Sequence, residues 1–224
     1  MKIALQTLAS AVFGFVFFAA ALFLPAGTLD YWHAWVFIGV FLLGTMGPSI
    51  YLAVNRPEAL RRRMKVGPFA ETRPVQKVAI TGTVLVVVAV LVTSALDHRF
   101  GWSTVPTAVV LLGDVLVWTG LTAAQFVVIQ NSYAAATITV ESEQPLVSTG
   151  LYGVVRHPMY AGTLMMMIGT PLALDSYWGL VAVLPALLIL AVRIADEEKM
   201  LRQQLAGYRE YMQKVRFRLV PYVW

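Results

Sequence analysis

The sequence predicts an all-α integral membrane protein, and three observations carry that expectation. Hydrophobic residues make up 58% of the 224 and charged residues only 13%, about half the roughly 25% charged fraction of an ordinary soluble domain. Mean hydropathy is +0.71. The apolar residues also fall into runs near the ~20-residue length that a helix needs to cross a bilayer. In hydrocarbon every backbone N–H and C=O must be satisfied within the segment, so such runs read as helices.

About six spans are expected, at 4–24, 33–54, 77–96, 105–130, 158–174 and 177–194. Lys2 precedes the first, but that run exceeds the ~7–15 residues of a secretory signal core and reads as a span. The last two are short and separated by Asp175 and Ser176, which predicts a short helical hairpin. Beyond them, Met200, Leu201, Leu205, Tyr208, Tyr211, Met212 and Val215 form a helical stripe, expected as a cytoplasmic C-terminal helix against the membrane face or the bundle's inner end. Gly207 predicts a bend within it. No linker or repeat divides the chain, so 1–224 reads as one membrane domain: a four-helix part over 1–130, then 131–224 with the tail.

Charge placement orients the bundle. Six spans with the amino terminus inside put Lys2, 55–76, 131–157 and 195–224 on one face, and of the 17 basic residues only Arg99 falls on the other. The positive-inside rule makes that face, with both termini, cytoplasmic. Arg61, Arg62 and Arg63 are then accounted for by topology and anionic headgroups, and the net charge of +5 calls for no nucleic acid. With no cysteine, disulfides, thiolate metal sites and cysteine nucleophiles are absent. His33, His98 and His157 are far apart in sequence without HExxH-type spacing, which argues against a histidine-built metal site, and no metal is expected.

The stretch LYGVVRHPMYAG, 151–162, concentrates polar chemistry at the mouth of the fifth span. A helix beginning at Pro158 places proline where its missing N–H is harmless and leaves His157 just outside. Its first-turn amides and positive dipole end would suit a carboxylate or phosphate. A hairpin that leaves this face at His157 and returns near Arg193 brings Arg156, His157, Arg193 and Glu197 around one small volume, Arg193 and Glu197 sharing a helix face. Each also has an ordinary explanation. Arg156 suits a topological anchor, His157 a cap, and Glu197 with Glu198 a helical acidic pair. The preceding segment, 131–155, is polar, contains a Ser-Thr-Gly turn and is long for a bundle connection.

The strings QPLVSTGLYGVVRHPMYAG, RIADEEKML and GYREYMQKV together resemble the carboxy-terminal signature of isoprenylcysteine carboxyl methyltransferases and their bacterial relatives, and more distantly phospholipid N-methyltransferases. The resemblance covers about 130–224, the first four spans matching only in hydropathy. It implies S-adenosylmethionine as cofactor, bound on the cytoplasmic side, and a lipid-like or isoprenoid acceptor arriving from the bilayer. Carried residue by residue, it implies cofactor contacts at Gln144, Pro145, Leu146, Val147, Tyr152, His157, Pro158, Met159, Tyr160, Glu197 and Glu198, with Arg193 positioning the acceptor. Arg193 and Glu197 are the catalytic candidates. The chain departs from the family's pattern at Gln144, where histidine is frequent, and at Leu205-Ala206-Gly207, where phenylalanine-glycine is usual.

The expected activity is methyl esterification of a hydrophobic acceptor's carboxylate, at the cytoplasmic face of a bacterial inner membrane. Methyl transfer from a sulfonium is governed by positioning, and Arg193 could hold one carboxylate oxygen by a charge-assisted bond. Tyr152 and Tyr160 read equally as cofactor contacts or interfacial belt residues. Asp114, deep in the fourth span, is expected to face the bundle with a partner, and with Trp118 and Gln125 either lines an acceptor tunnel or packs. Three alternatives stay open. Amine methylation would set Arg193 against a protonated acceptor. An NADPH-dependent membrane reductase would call for basic residues that 131–155 lacks. A non-enzymatic scaffold or channel would be indifferent to His157→Ala.

Overall fold

The computed structural model of the chain describes residues 2–64, 70–71, 73–134 and 144–224, with the side chains of 2–7, 63 and 64 left aside. Residues 135–143 of the polar segment and 65–69 and 72 of the basic loop lie outside the described residues, as do the side chains of Lys2 and Arg63. All regular structure among the described residues is helical: α1 (Lys2–Ala26), α2 (Trp32–Asn55), α3 (Pro57–Met64), α4 (Pro74–Phe100), α5 (Thr107–Gln130), a 3-10 turn (Gly150–Gly153), α6 (Pro158–Ala173), α7 (Trp178–Gln204) and α8 (Tyr208–Lys214).

Five of these, α1, α2, α4, α5 and α7, are long and apolar enough to cross a membrane. The expected fifth span is α6, only 16 residues long. The expected sixth is not short: α7 runs 27 residues, because the sequence after Arg193, rich in Ala, Glu, Lys, Met, Leu, Arg and Gln, favours continuing the helix past its apolar part. The pair is therefore one short and one long helix. Gly207 takes a left-handed backbone, φ +77°, between α7 and α8, at the expected bend.

Aromatic and aliphatic residues from α1, α2, α4 and α5, among them Phe18, Leu22, Phe37, Leu91 and Val117, form the main core together with Ala173 and Leu174 at the end of α6. A different kind of contact seats α6 on α5. A Cβ on Gly113 would lie 2.3 Å from the Ala173 nitrogen, and one on Gly120 2.4 Å from the Gly162 carbonyl oxygen. In return a Cβ on Gly169 would meet the Gly113 oxygen at 2.7 Å, as would one on Gly162 the Gly120 oxygen. Glycines spaced by seven on each helix let the two backbones touch, the small-residue packing of membrane helices. Through this contact α5 fixes where the α6 mouth sits.

Candidate functional site

His157 is the N-cap of α6 and Pro158 its first residue, as the sequence predicts. The segment leading in is held by backbone pairing to the tail: the Arg156 and His157 amides donate to the carbonyls of Phe217 and Arg218, both at 2.9 Å. Gln130, at the end of α5, accepts from the Leu151 amide at 3.2 Å and donates to the Thr149 carbonyl, fixing the polar turn beneath the helix. Tyr211 of α8 donates to the Tyr152 carbonyl at 2.7 Å.

These elements enclose a cavity of about 290 Å³. Gln144, Pro145, Leu146, Val147, Tyr152, His157, Pro158, Met159, Tyr160, Arg193 and Glu197 all line it, so residues as distant in sequence as Gln144 and Glu197 meet in one volume. Arg156 lines it as well. Asp114 and Trp118 do not. Asp114 is buried, with no hydrogen-bond partner for either carboxylate oxygen among the described residues, so the expected partner is missing there. Trp118 is exposed on the outer face of α5.

The adjacent carboxylates of α7 separate in role. Glu198 is fully buried, away from the cavity lining. It accepts from Arg156 Nε at 2.8 Å, His157 Nε2 at 3.3 Å and Arg202 Nη2 at 3.4 Å, and pairs with Arg218 Nη2 at 3.2 Å. Arg156 also donates through Nη1 to the carbonyls of Val215 and Arg216, at 2.9 and 2.8 Å. A buried carboxylate is tolerable only with such compensation, and here it locks the α6 mouth, α7 and the tail together. The expected cofactor contact at Glu198 thus gives way to a structural clamp. Glu197 faces the cavity. Its Oε2 lies 3.8 Å from His157 Nδ1 and is buried without a hydrogen-bond partner among the described residues.

Arg193 donates from Nε to the Tyr160 hydroxyl at 3.0 Å and from Nη2 to Glu71 at 3.1 Å. Glu71, itself buried, is a residue that sequence reasoning missed, since it sits in a loop read as topological. One position before α4, Arg73 forms a two-point ion pair with Asp196, and Gln76 donates to the same carboxylate at 2.7 Å. This pair anchors α4 to α7 beside the cavity. Tyr208 and Tyr211, read as stripe residues, also line the cavity, with Asn131 and Tyr133. Burial, more than the opposing Asn131 contact, pushes the Tyr152 phenol up to about 12. The phenol accepts from Asn131 Nδ2 at 3.2 Å, so it keeps its proton as a donor. Ile80 and Thr83 of α4, Ala124 of α5, Thr163 of α6 and Leu190 of α7 also line the cavity, three apolar side chains and two threonines whose hydroxyls donate back to their own helices.

Both lining arginines have carboxylate partners, while the cavity-lining carboxylate Glu197 keeps one buried oxygen without a hydrogen bond among the described residues. That pattern suits a ligand with a cationic group on a small polar part, beside an apolar portion.

Residues 108–207, just under half of the chain, match the family model described as phospholipid methyltransferase. They contain nearly all of α5, the 3-10 turn, α6 and α7, which carry most of the cavity lining. The chain is also similar to the mouse (Mus musculus) Delta(14)-sterol reductase, 33% identical over 91 residues. That match covers 39% of this chain and 22% of the reductase, so the chain spans only a small part of that relative.

Proposed function

We propose that this chain is an S-adenosylmethionine-dependent membrane methyltransferase that modifies a hydrophobic, isoprenoid- or lipid-like acceptor at the cytoplasmic face. The observation that carries the reading is Glu197, a carboxylate lining the same cavity as the α6 mouth whose buried Oε2 has no hydrogen-bond partner among the described residues. An amino-acid group fits there, its ammonium on Glu197 and its carboxylate toward the positive dipole end of α6. Gln144 to Val147, Tyr152, Met159 and Tyr160 supply the remaining wall, with the Tyr152 phenol as donor. When bound, S-adenosylmethionine supplies an electrophilic methyl group whose transfer depends on alignment more than on acid or base. The Ile80, Ala124 and Leu190 part of the lining suits the acceptor's hydrocarbon, and Arg193 with Tyr160 marks where its reacting group is held. The match to phospholipid methyltransferases supports methyl transfer to a lipid.

For the reacting group, Arg193 favours a carboxylate, oriented by a charge-assisted bond. A second reading, a headgroup amine, gains from Glu71: at 3.1 Å it offsets the guanidinium charge that would repel a protonated acceptor. The reductase reading suits the cavity less well, because a 2′-phosphate needs a cation and both lining arginines are already paired with carboxylates. Incubating detergent-purified protein with methyl-labelled cofactor and a panel of lipidic acids and amines separates the cases. A product releasing methanol in mild base is an ester, and a base-stable product is an amine. Calorimetry showing no cofactor binding would overturn the methyltransferase reading altogether.

A further inference from the structure

At the other end of the bundle, far from the cavity, the fold assembles a group that the sequence scatters. His33 opens α2, His98 closes α4, and Asp175 lies in the turn between α6 and α7. One donor atom from each lies within 4.8 Å of the other two. The histidine rings are 6.5 Å apart between centroids, although 65 residues separate them in sequence. From these residues we infer a divalent transition-metal site, of the zinc class, that staples the three elements at the rim opposite the cavity.

Four features beyond proximity point to a ligand. Asp175 takes a left-handed backbone, φ +57°, a conformation uncommon outside glycine, asparagine and aspartate. Its Oδ1 accepts from the Val105 amide at 2.7 Å, which turns Oδ2 toward His33. His98 Nε2 lies 3.2 Å from the Asp30 carbonyl. A carbonyl only accepts, so that nitrogen carries the hydrogen and the other presents a lone pair, the outer-shell arrangement that orients metal-bound histidines. Tyr31, stacked on His98 at 3.8 Å, and Trp32, 3.9 Å from His33, hold the two rings in place.

The fourth feature is a deficit. His33 Nδ1 is buried without a hydrogen-bond partner among the described residues, and Nε2 approaches Asp175 only to 3.9 Å, too long for a hydrogen bond. Two imidazoles and one carboxylate form a donor set suited to zinc, with one position left for water. Metal bonds of about 2.0–2.1 Å would draw the donors to roughly 3.3 Å from one another, a contraction that side-chain rotation on helix ends can supply. All three residues are partly exposed, which leaves an entry path. The neighbouring Asp97 is not a competing ligand: Ser103 N, Ser103 Oγ and Ser176 Oγ donate to it at 2.6–2.7 Å.

The test uses the full chain in detergent, purified without a histidine tag. Calorimetry with zinc chloride should show one ion per chain, thermal unfolding should shift upward with zinc and return with EDTA, and cobalt should give visible d–d absorption. His33→Gln and Asp175→Asn should each weaken zinc binding by more than the ~10–100-fold that losing an outer-shell partner costs, while His157→Gln should leave it unchanged. Substoichiometric zinc with no cobalt spectrum in the unmodified protein overturns the site. So does full zinc affinity in folded His33→Gln.

Discussion

Helix α6 carries a polar cluster beyond each end, and the two are satisfied in different ways. At its amino terminus formal charges face one another around a cavity: Arg156, Arg202 and Arg218 on Glu198, Glu71 on Arg193, and His157 between two glutamates. Beyond its carboxy terminus the acid Asp97 is closed off by an amide and two hydroxyls, and the Tyr31 hydroxyl donates to the Leu174 carbonyl at 2.6 Å. The first cluster leaves a carboxylate oxygen of the cavity-lining Glu197 without a hydrogen bond among the described residues; the core of the second is hydrogen-bonded to itself. The contrast shows that buried charge alone does not mark a site. What marks it is charge left incompletely satisfied beside a void, as at Glu197.

The sharpest way to break this comparison is Glu198→Gln. Removing one partner from a buried ionic cluster costs ~3–5 kcal/mol, so thermal unfolding in detergent should show a large loss of stability. Next is Glu197→Gln, expected to weaken S-adenosylmethionine binding by about 30-fold or more in calorimetry while the unfolding temperature stays near that of the parent. If the neighbouring glutamates behaved alike, the division of labour between them would be wrong. Asp97→Asn should cost ~1–2 kcal/mol through its weakened hydrogen bonds, yet leave cofactor affinity intact, since it acts at the opposite rim. The smallest effect is expected at Arg61→Ala, whose exposed pair with Glu58 should contribute less than ~0.5 kcal/mol to unfolding.

Much of the site was legible because a few residues carry strong local signals. Proline after histidine at the start of an apolar run fixes a helix mouth, and helical spacing puts Arg193 and Glu197 on one face. Other features depend on register that a single sequence does not encode. That Glu198 is closed off by ion pairs depends on Arg156, forty-two residues before it, and Arg218, twenty residues after it. Glu71 reaches Arg193 only because α4 packs along α7. The length of α7 was readable in its helix-forming residues but masked by where its apolar part ends. The paired glycines at 113 and 120 and at 162 and 169 were also in plain view, as a matching seven-residue interval on two apolar segments. The histidines are the opposite case: topology assigns His33 and His98 to one rim, but only tertiary packing brings them together.

That glycine seam has a mechanical consequence. Because α6 is pressed backbone to backbone on α5 while α7 packs chiefly along α4, the bundle behaves as two stiff couples with the ligand chamber at their junction. A guest too bulky for the resting aperture would be admitted by sliding one couple past the other, a shear motion, with the Arg156–Glu198 ion pair and the Arg193–Tyr160 hydrogen bond acting as the latches that such a slide must strain.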